Sequence, residues 1–125
     1  MNDFFKDLAT IARRAGRGDF EFVDRGVVQL IPWGEMTVQL HRLWANQPGK
    51  GNGSSILREL CGLADRHGVR IEIKVTPFGR KPYPMDRAQL HAWYLRHGFE
   101  GTKKKMVRKP RPLTTSDTVL LPSSV

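Results

Sequence analysis

Cysteine is almost absent from this chain: Cys61 is the one thiol in 125 residues. That excludes a disulfide framework and leaves no basis for a cysteine-built metal site. Long apolar runs are missing as well. No stretch approaches the roughly 18 residues a membrane span needs, and the N-terminus lacks a basic segment followed by an apolar core and a cleavage site. A cytoplasmic protein with no membrane partner is expected, its stability coming from a packed core. No internal repeat is visible, and the length fits one domain. Carboxylates are scarce: 21 Lys and Arg face 12 Asp and Glu, for a net charge of +9 and a pI near 10.3. The excess implies an anionic partner without saying which, since nucleic acid, an acidic membrane surface or a phosphorylated small molecule would each satisfy it. Residues 101–125 carry six of the basic residues against one acidic residue.

Periodicity fills in the order of elements. Phe4, Phe5, Leu8, Ile11, Ala12 and Ala15 predict an amphipathic helix over Phe4–Arg14, stopped by Gly16 and Gly18. Two short β-type runs, Phe20–Asp24 and Val27–Ile31, flank Arg25-Gly26 and read as a hairpin. Pro32–Glu35 reads as a second turn, followed by a strand over Met36–Ala45. In that strand Met36, Val38 and Leu40 are apolar on even positions, whereas Leu43 and Ala45 are apolar on odd ones. A period of two changes parity only through an extra residue, so a β-bulge near His41 is the economical reading. The alternative is a strand that ends at Leu40.

Asn46–Gly53 is a glycine-dense loop that runs into a helical pattern over Ser54–Arg66. Val69, Ile71, Ile73 and Val75 then alternate on one strand face. This β-loop-α-β order predicts parallel strands joined by a right-handed crossover. Thr76–Pro84 reads as loop. A last helix is expected over Met85–His97 with Leu90, Trp93, Tyr94 and Ala88 on its buried side, then short closing strands at Phe99 and within Thr102–Arg108. Three prolines and six Ser or Thr among residues 109–125 predict a partly ordered tail beyond a single domain over 1–109.

Gly49, Gly51 and Gly53 between a strand and a helix start suit a phosphate: glycines let the backbone approach, and the N–H groups and helix dipole attract the anion. The dinucleotide and Walker A spacings both fail here. An ordinary glycine turn is the other reading. Pro48-Gly-Lys-Gly-Asn-Gly-Ser-Ser-Ile-Leu-Arg-Glu-Leu60 resembles the phosphate loop and helix of the GNAT N-acetyltransferases. Ala92-Trp-Tyr-Leu-Arg-His-Gly-Phe99 resembles the family's second signature, and the inferred bulge falls where these proteins carry one. The resemblance spans roughly residues 20–109 and describes a short version of the family.

It implies a mixed, mostly antiparallel sheet with a central parallel β-loop-α-β unit and flanking helices. It also implies acetyl transfer from acetyl-CoA to an amine by direct attack, without metal. By matching positions, Gly49, Lys50, Gly51, Asn52, Gly53 and Ser54 would hold the pyrophosphate. Leu43 and Ala45 would pair with the pantetheine arm, and a freed N–H near Arg42 or Leu43 would polarise the thioester carbonyl. Tyr94 would protonate the departing thiolate. Pro48 stands where the family has Arg or Gln, which removes a side chain and an N–H donor. One helix precedes the hairpin where the family has a strand and two helices.

Outside the matched motifs, an amine with pKa near 10.4 must lose a proton before it attacks, and His41 and Glu35 are the nearest base candidates. Each also fits a solvated surface residue. Trp33 and Trp44 read as packing residues and Cys61 as a small buried one. Lys103, Lys104, Lys105 and Arg108 form a basic run. It suits either a lysine-guarded strand edge or a non-catalytic GNAT-like protein binding an acidic protein or nucleic acid. No helix-turn-helix, zinc-finger or RNA-platform aromatic pattern accompanies it. The acceptor amine stays open, as does the choice between monomer and homodimer.

Overall fold

Phe4 and Leu8 have no solvent exposure and sit one helical turn apart, so the first helix, α1 (Asn2–Ile11), is fixed by what it buries. The computed structural model describes residues 2–46, 51–75 and 86–111. α1 ends earlier than its periodicity predicts, because Arg13–Arg14 form a short strand, β1, against β2 (Asp19–Phe22). Arg13 pairs with Glu21, and the Arg14 guanidinium lies 5.3 Å above the Phe20 ring. These cross-strand contacts outweigh one more helical turn. The expected hairpin is present as β2 and β3 (Gly26–Gly34). Gly26 is required at its turn: φ is +154°, and a Cβ there would collide with the Trp44 carbonyl.

The turn placed at Pro32–Glu35 is instead the end of β3. Pro32, which has no N–H to give, pairs with Val38, and Gly34 pairs with Thr37. Trp33 is left over as an unpaired residue, and the turn proper falls at Glu35–Met36, with Met36 at φ +50°. β4 (Thr37–Ala45) then runs antiparallel to β3. Its phase slip is a β-bulge, as its parity requires: Leu40 faces Leu30 and Arg42 faces Gln29, so His41 has no opposite residue.

α2 (Asn52–His67) starts two residues before the expected Ser54 and stops at Gly68, where φ is +68°. β5 (Arg70–Lys74) pairs with β4 in the one parallel ladder among the described residues, Thr37–Leu40 against Arg70–Ile73. α3 (Arg87–Arg96) is shorter than predicted because Asp86 caps it, accepting from the Gln89 N–H. Leu90, Trp93 and Tyr94 are buried as expected, whereas Ala88 is exposed. Phe99 precedes β6 (Glu100–Gly101) rather than lying in a strand, and β7 (Lys105–Arg108) closes the sheet in the order β1-β2-β3-β4-β5-β7-β6. Residues 76–84, expected to be loop, Met85 of the expected last helix and 112–125 of the expected tail lie outside the described residues. No helix among the described residues is long and apolar enough to cross a membrane.

One sheet face is fully buried through Phe20, Phe22, Val28, Leu30, Val38 and Ile71. All three helices are tied to this face. Phe5 of α1 stacks on Phe20, Gly53 of α2 lies against Leu43, and both α2 and α3 meet Arg108 of β7. Arg108 is therefore not part of an exposed basic run. It is 4% exposed, with its guanidinium bidentate on Asp65 at 2.7 and 3.0 Å and its Nε donating to the His97 carbonyl at 3.0 Å. The Arg111 N–H also donates to Asp65, at 2.8 Å. Burial pushes the Asp65 carboxyl up, but the Arg108 and Arg111 bonds outweigh it and hold the group below its ordinary value.

Removing one partner strands the other charge in the core. Arg108→Ala should therefore cost about 3–5 kcal/mol of unfolding free energy. Because the folded carboxyl is lowered, the pair's stabilisation is complete above the unfolded value near pH 4 and is lost as pH falls through the folded one. Denaturant titrations between pH 2.5 and 7 should show the acid-side loss in the wild type and a flatter profile in the variant.

Candidate functional site

Beyond Leu40, β4 keeps β3 on one edge and has no β5 pairing on the other among the described residues. The bulge also decides which groups face that opening. The Asn46 N–H donates to the Arg25 carbonyl at 2.7 Å, while on β3 the Leu30 N–H points away from β4, to Gly18. By antiparallel alternation, Arg42 and Trp44 exchange their hydrogen bonds with Gln29 and Val27. Leu43 and Ala45 therefore turn their N–H and C=O groups into the opening. A strand-like ligand could bond there without displacing any pairing seen.

The N-terminus of α2 closes one end of this opening. Gly51 takes φ +81° and acts as the N-cap, with no side chain capping the helix, so the first N–H groups have no capping side chain. A Cβ on Gly53 would lie 3.6 Å from Ala45 Cβ, Leu43 Cδ2 and Trp93 Cζ2. These are ordinary packing distances, and they place the first turn of α2 against β4 and α3. The Trp93 indole N–H donates to Ser54 Oγ at 2.9 Å, linking α3 to the first turn of α2. The Asn52 side chain donates to the Asn46 carbonyl at 2.8 Å, pinning the two ends of the glycine loop together. Arg25 holds the hairpin turn against the same helix through Ser55, at 2.8 Å, and Glu59.

Tyr94 follows Trp93 into the core and is 2% exposed. Its ring packs on Phe99 and Trp93, and among the described residues its hydroxyl has no hydrogen-bond partner. Burial pushes the phenol well above its usual value, so it stays protonated. His97, one turn on, is held below its ordinary value by burial and by the charges of Arg58, Arg96 and Arg108. Burial pushes the Cys61 thiol up to about 11. That leaves almost no thiolate at neutral pH and fits the buried, unreactive residue expected.

The fold thus brings Leu43, Ala45, Gly51, Asn52, Gly53 and Ser54 to one opening. Gly49 and Lys50 lie outside the described residues. His41 is at the bulge, exposed, with Nε2 2.8 Å from Gln39 Oε1. Glu35 is exposed in the turn before β4. Thr37 to Leu43 alone spans about 20 Å of strand, so Glu35 stands at the far end from the opening. Trp33 and Trp44, expected to pack, are 63% and 54% exposed: one is the unpaired residue of β3 and the other lies on the helix-free face. Sequence reasoning missed Trp93 as a link to Ser54, because helical spacing marks it only as apolar. Arg25 carried no signal beyond its place in a turn.

The sequence matches no protein-family model and no curated protein. Among solved structures, Ard1 from Thermoplasma volcanium overlays with a TM-score of 0.52 at 13% identity, over 89% of this chain and 80% of that one. The chain has the fold of the GNAT acetyltransferases. Two further structures overlap less. PaiA N-acetyltransferase from Thermoplasma acidophilum, in complex with coenzyme A, gives 0.47 at 17% identity, over 68% of this chain and 53% of that one. The KacTA–DNA complex gives 0.46 at 14%, over 67% and 56%. The chain spans about half the length of these two. At such identities the likeness fixes the GNAT fold, and the chemistry has to be argued from the chain's own residues.

The Trp93–Ser54 bond is the contact by which α3 holds the first turn of α2, and it should be measurable. Trp93→Phe and Ser54→Ala should each cost about 0.5–1.5 kcal/mol. A double-mutant cycle by denaturant unfolding should find the combined variant well short of the sum of the two.

Proposed function

We propose that the chain is an acyl-CoA-dependent N-acyltransferase that moves acetyl from acetyl-CoA to an amine by direct attack. The observation that carries the reading is the freed β4 edge at Leu43 and Ala45, which opens beside the glycine-flanked N-terminus of α2. An extended amide-bearing arm such as pantetheine can add to that edge as a strand would. The pyrophosphate at its far end needs N–H donors and a positive helix end, which Gly51, Asn52, Gly53 and Ser54 supply, and Gly49 and Lys50 precede them in the sequence. Lys50 contributes the one cationic side chain of this segment.

In the transfer, the lone pair of a neutral amine forms the new C–N bond at the thioester carbonyl carbon, and the C–S bond then breaks. The backbone N–H of Leu43, turned into the opening, stabilises the negative charge that develops on the carbonyl oxygen. His41 takes the proton lost by the amine, directly or through water, with Gln39 orienting its ring. Tyr94, kept protonated by burial, donates to the leaving sulfur. Glu35 has no part in these steps, since it stands at the other end of β4.

Acetyl-CoA at 100 times its Kd should stabilise the folded protein by about 2.7 kcal/mol, read as a rise in Tm. Tyr94→Phe should keep that rise while turnover of acetyl-CoA with a panel of amines falls by about 10²–10⁴-fold. No rise at millimolar acetyl-CoA would remove the acyltransferase reading, and undiminished turnover would remove Tyr94 from the mechanism.

A further inference from the structure

The sheet has a second face that no helix among the described residues covers. Register fixes which side chains share it, because paired residues point the same way. Gln29 faces Arg42, Val27 faces Trp44, Gln39 faces Glu72, and Lys74 faces Lys105. Charge is distributed unevenly across this face. The β2 edge carries Asp19 and Glu21, the latter paired with Arg13. From β4 to β7 the balance reverses. Arg42 stands on one side of the β4–β5 opening and Lys74 on the other, with Lys105 beside Lys74. The Val75 N–H donates to the Lys104 carbonyl at 3.0 Å, so the exposed turn bearing Lys103 and Lys104 continues the row. Two carboxylates interrupt this part: Glu72, 4.0 Å from Lys105 Nζ, and Glu100 on the β6 edge, which shares the face through Val107. Arg42, Lys74, Lys103 and Lys104 have no ion-pair partner among the described residues.

Trp44 lies on this same face, two residues from Arg42 and over Val27, and is 54% exposed. An indole presented to solvent beside a row of unpaired cations offers a flat stacking surface next to phosphate-binding charges. We propose that the helix-free face binds single-stranded nucleic acid, with a base stacked on Trp44 and the backbone crossing the strands along Arg42, Lys74, Lys105 and Lys104. Paired strands are about 4.8 Å apart and β4 and β5 are unpaired at Arg42 and Lys74, so a row over three strands exceeds what one small anion can engage. A duplex fits less well, because its bases are already stacked and this face projects no helix or ribbon into a groove. An acidic polypeptide would meet the cations but has no use for the exposed indole. With Arg108 taken into the core and Arg111 placed beside Asp65, Lys103, Lys104 and Lys105 are the terminal cations that join this row, and the +9 of the chain is in keeping with such a partner. The row crosses the rim of the opening proposed for acetyl-CoA on the helix-free side, and binding measured without acetyl-CoA tests it independently of that reading.

The test is fluorescence anisotropy with a labelled 12-nucleotide single-stranded RNA, without acetyl-CoA, over a salt series. The logarithm of the binding constant should fall with the logarithm of salt at a slope of about −0.7 per phosphate engaged, or roughly −2 to −3. Arg42→Ala and Lys74→Ala should each flatten that slope by about 0.7. Trp44→Ala should weaken binding by about 5- to 100-fold at constant salt, whereas Trp33→Ala, outside the row, should leave it unchanged. The proposal is overturned if the Arg42, Lys74 and Trp44 variants bind as the wild type does, if polyglutamate of matched length binds as tightly as the RNA, or if no binding occurs at physiological salt. Circular dichroism of each variant separates a lost surface from a lost fold.

Discussion

A single extra residue in β4 governs most of what this protein offers to a ligand. With His41 inserted, the strand keeps its apolar residues on the core side before and after the bulge, Leu40 and Leu43 alike, while its pairing with β5 stops. Were the same residues an unbroken strand with no bulge, Leu43 would turn to the open face. The bulge therefore trades several backbone hydrogen bonds for an open edge. Native sheets seldom leave such an edge unguarded, since unpaired N–H and C=O groups are templates for other chains. Here it lies inside the sheet, between two strands, and not on its outer rim.

What holds the sheet open is the packing on its covered face. The Asp65 carboxylate takes both arms of the Arg108 guanidinium and the Arg111 N–H, while Arg108 also caps the His97 carbonyl at the end of α3. One buried pair thus fastens the C-terminal ends of α2 and α3 to β7. At the N-terminal end of α2, Ser54 accepts from Trp93, which lies one turn before His97 in α3, and this makes the second fastening. Because both lie on one face, the helices frame the opening from that side only. The other side is left to Arg42, Trp44 and Lys74, and the two faces can serve different ligands.

Much of this was legible in the residues. The parity change between Leu40 and Leu43 is a strong signal because a strand's period is fixed at two, and it placed a bulge near His41. The Gly51–Gly53 segment and the helix after it were legible from spacing. Less visible were features decided by tertiary pairing. Arg13 and Arg14 continue a helical pattern yet form a strand, because Glu21 and Phe20 lie opposite them. Arg108 reads as one more cation in a basic run until Asp65, 43 residues earlier, is placed beside it. Trp44 reads as core by composition, and only its register with Val27 puts it on the open face.

Amide hydrogen exchange resolved by residue measures directly whether Leu43 and Ala45 present free backbone groups to the opening. Arg42 and Trp44, bonded to β3, should exchange slowly in the free protein. Leu43 and Ala45 should exchange fast alone and become protected when acetyl-CoA is added. If Leu43 and Ala45 are as slow as their neighbours in the free protein, or stay fast with the ligand bound, the freed edge is not where the ligand binds and the account is wrong.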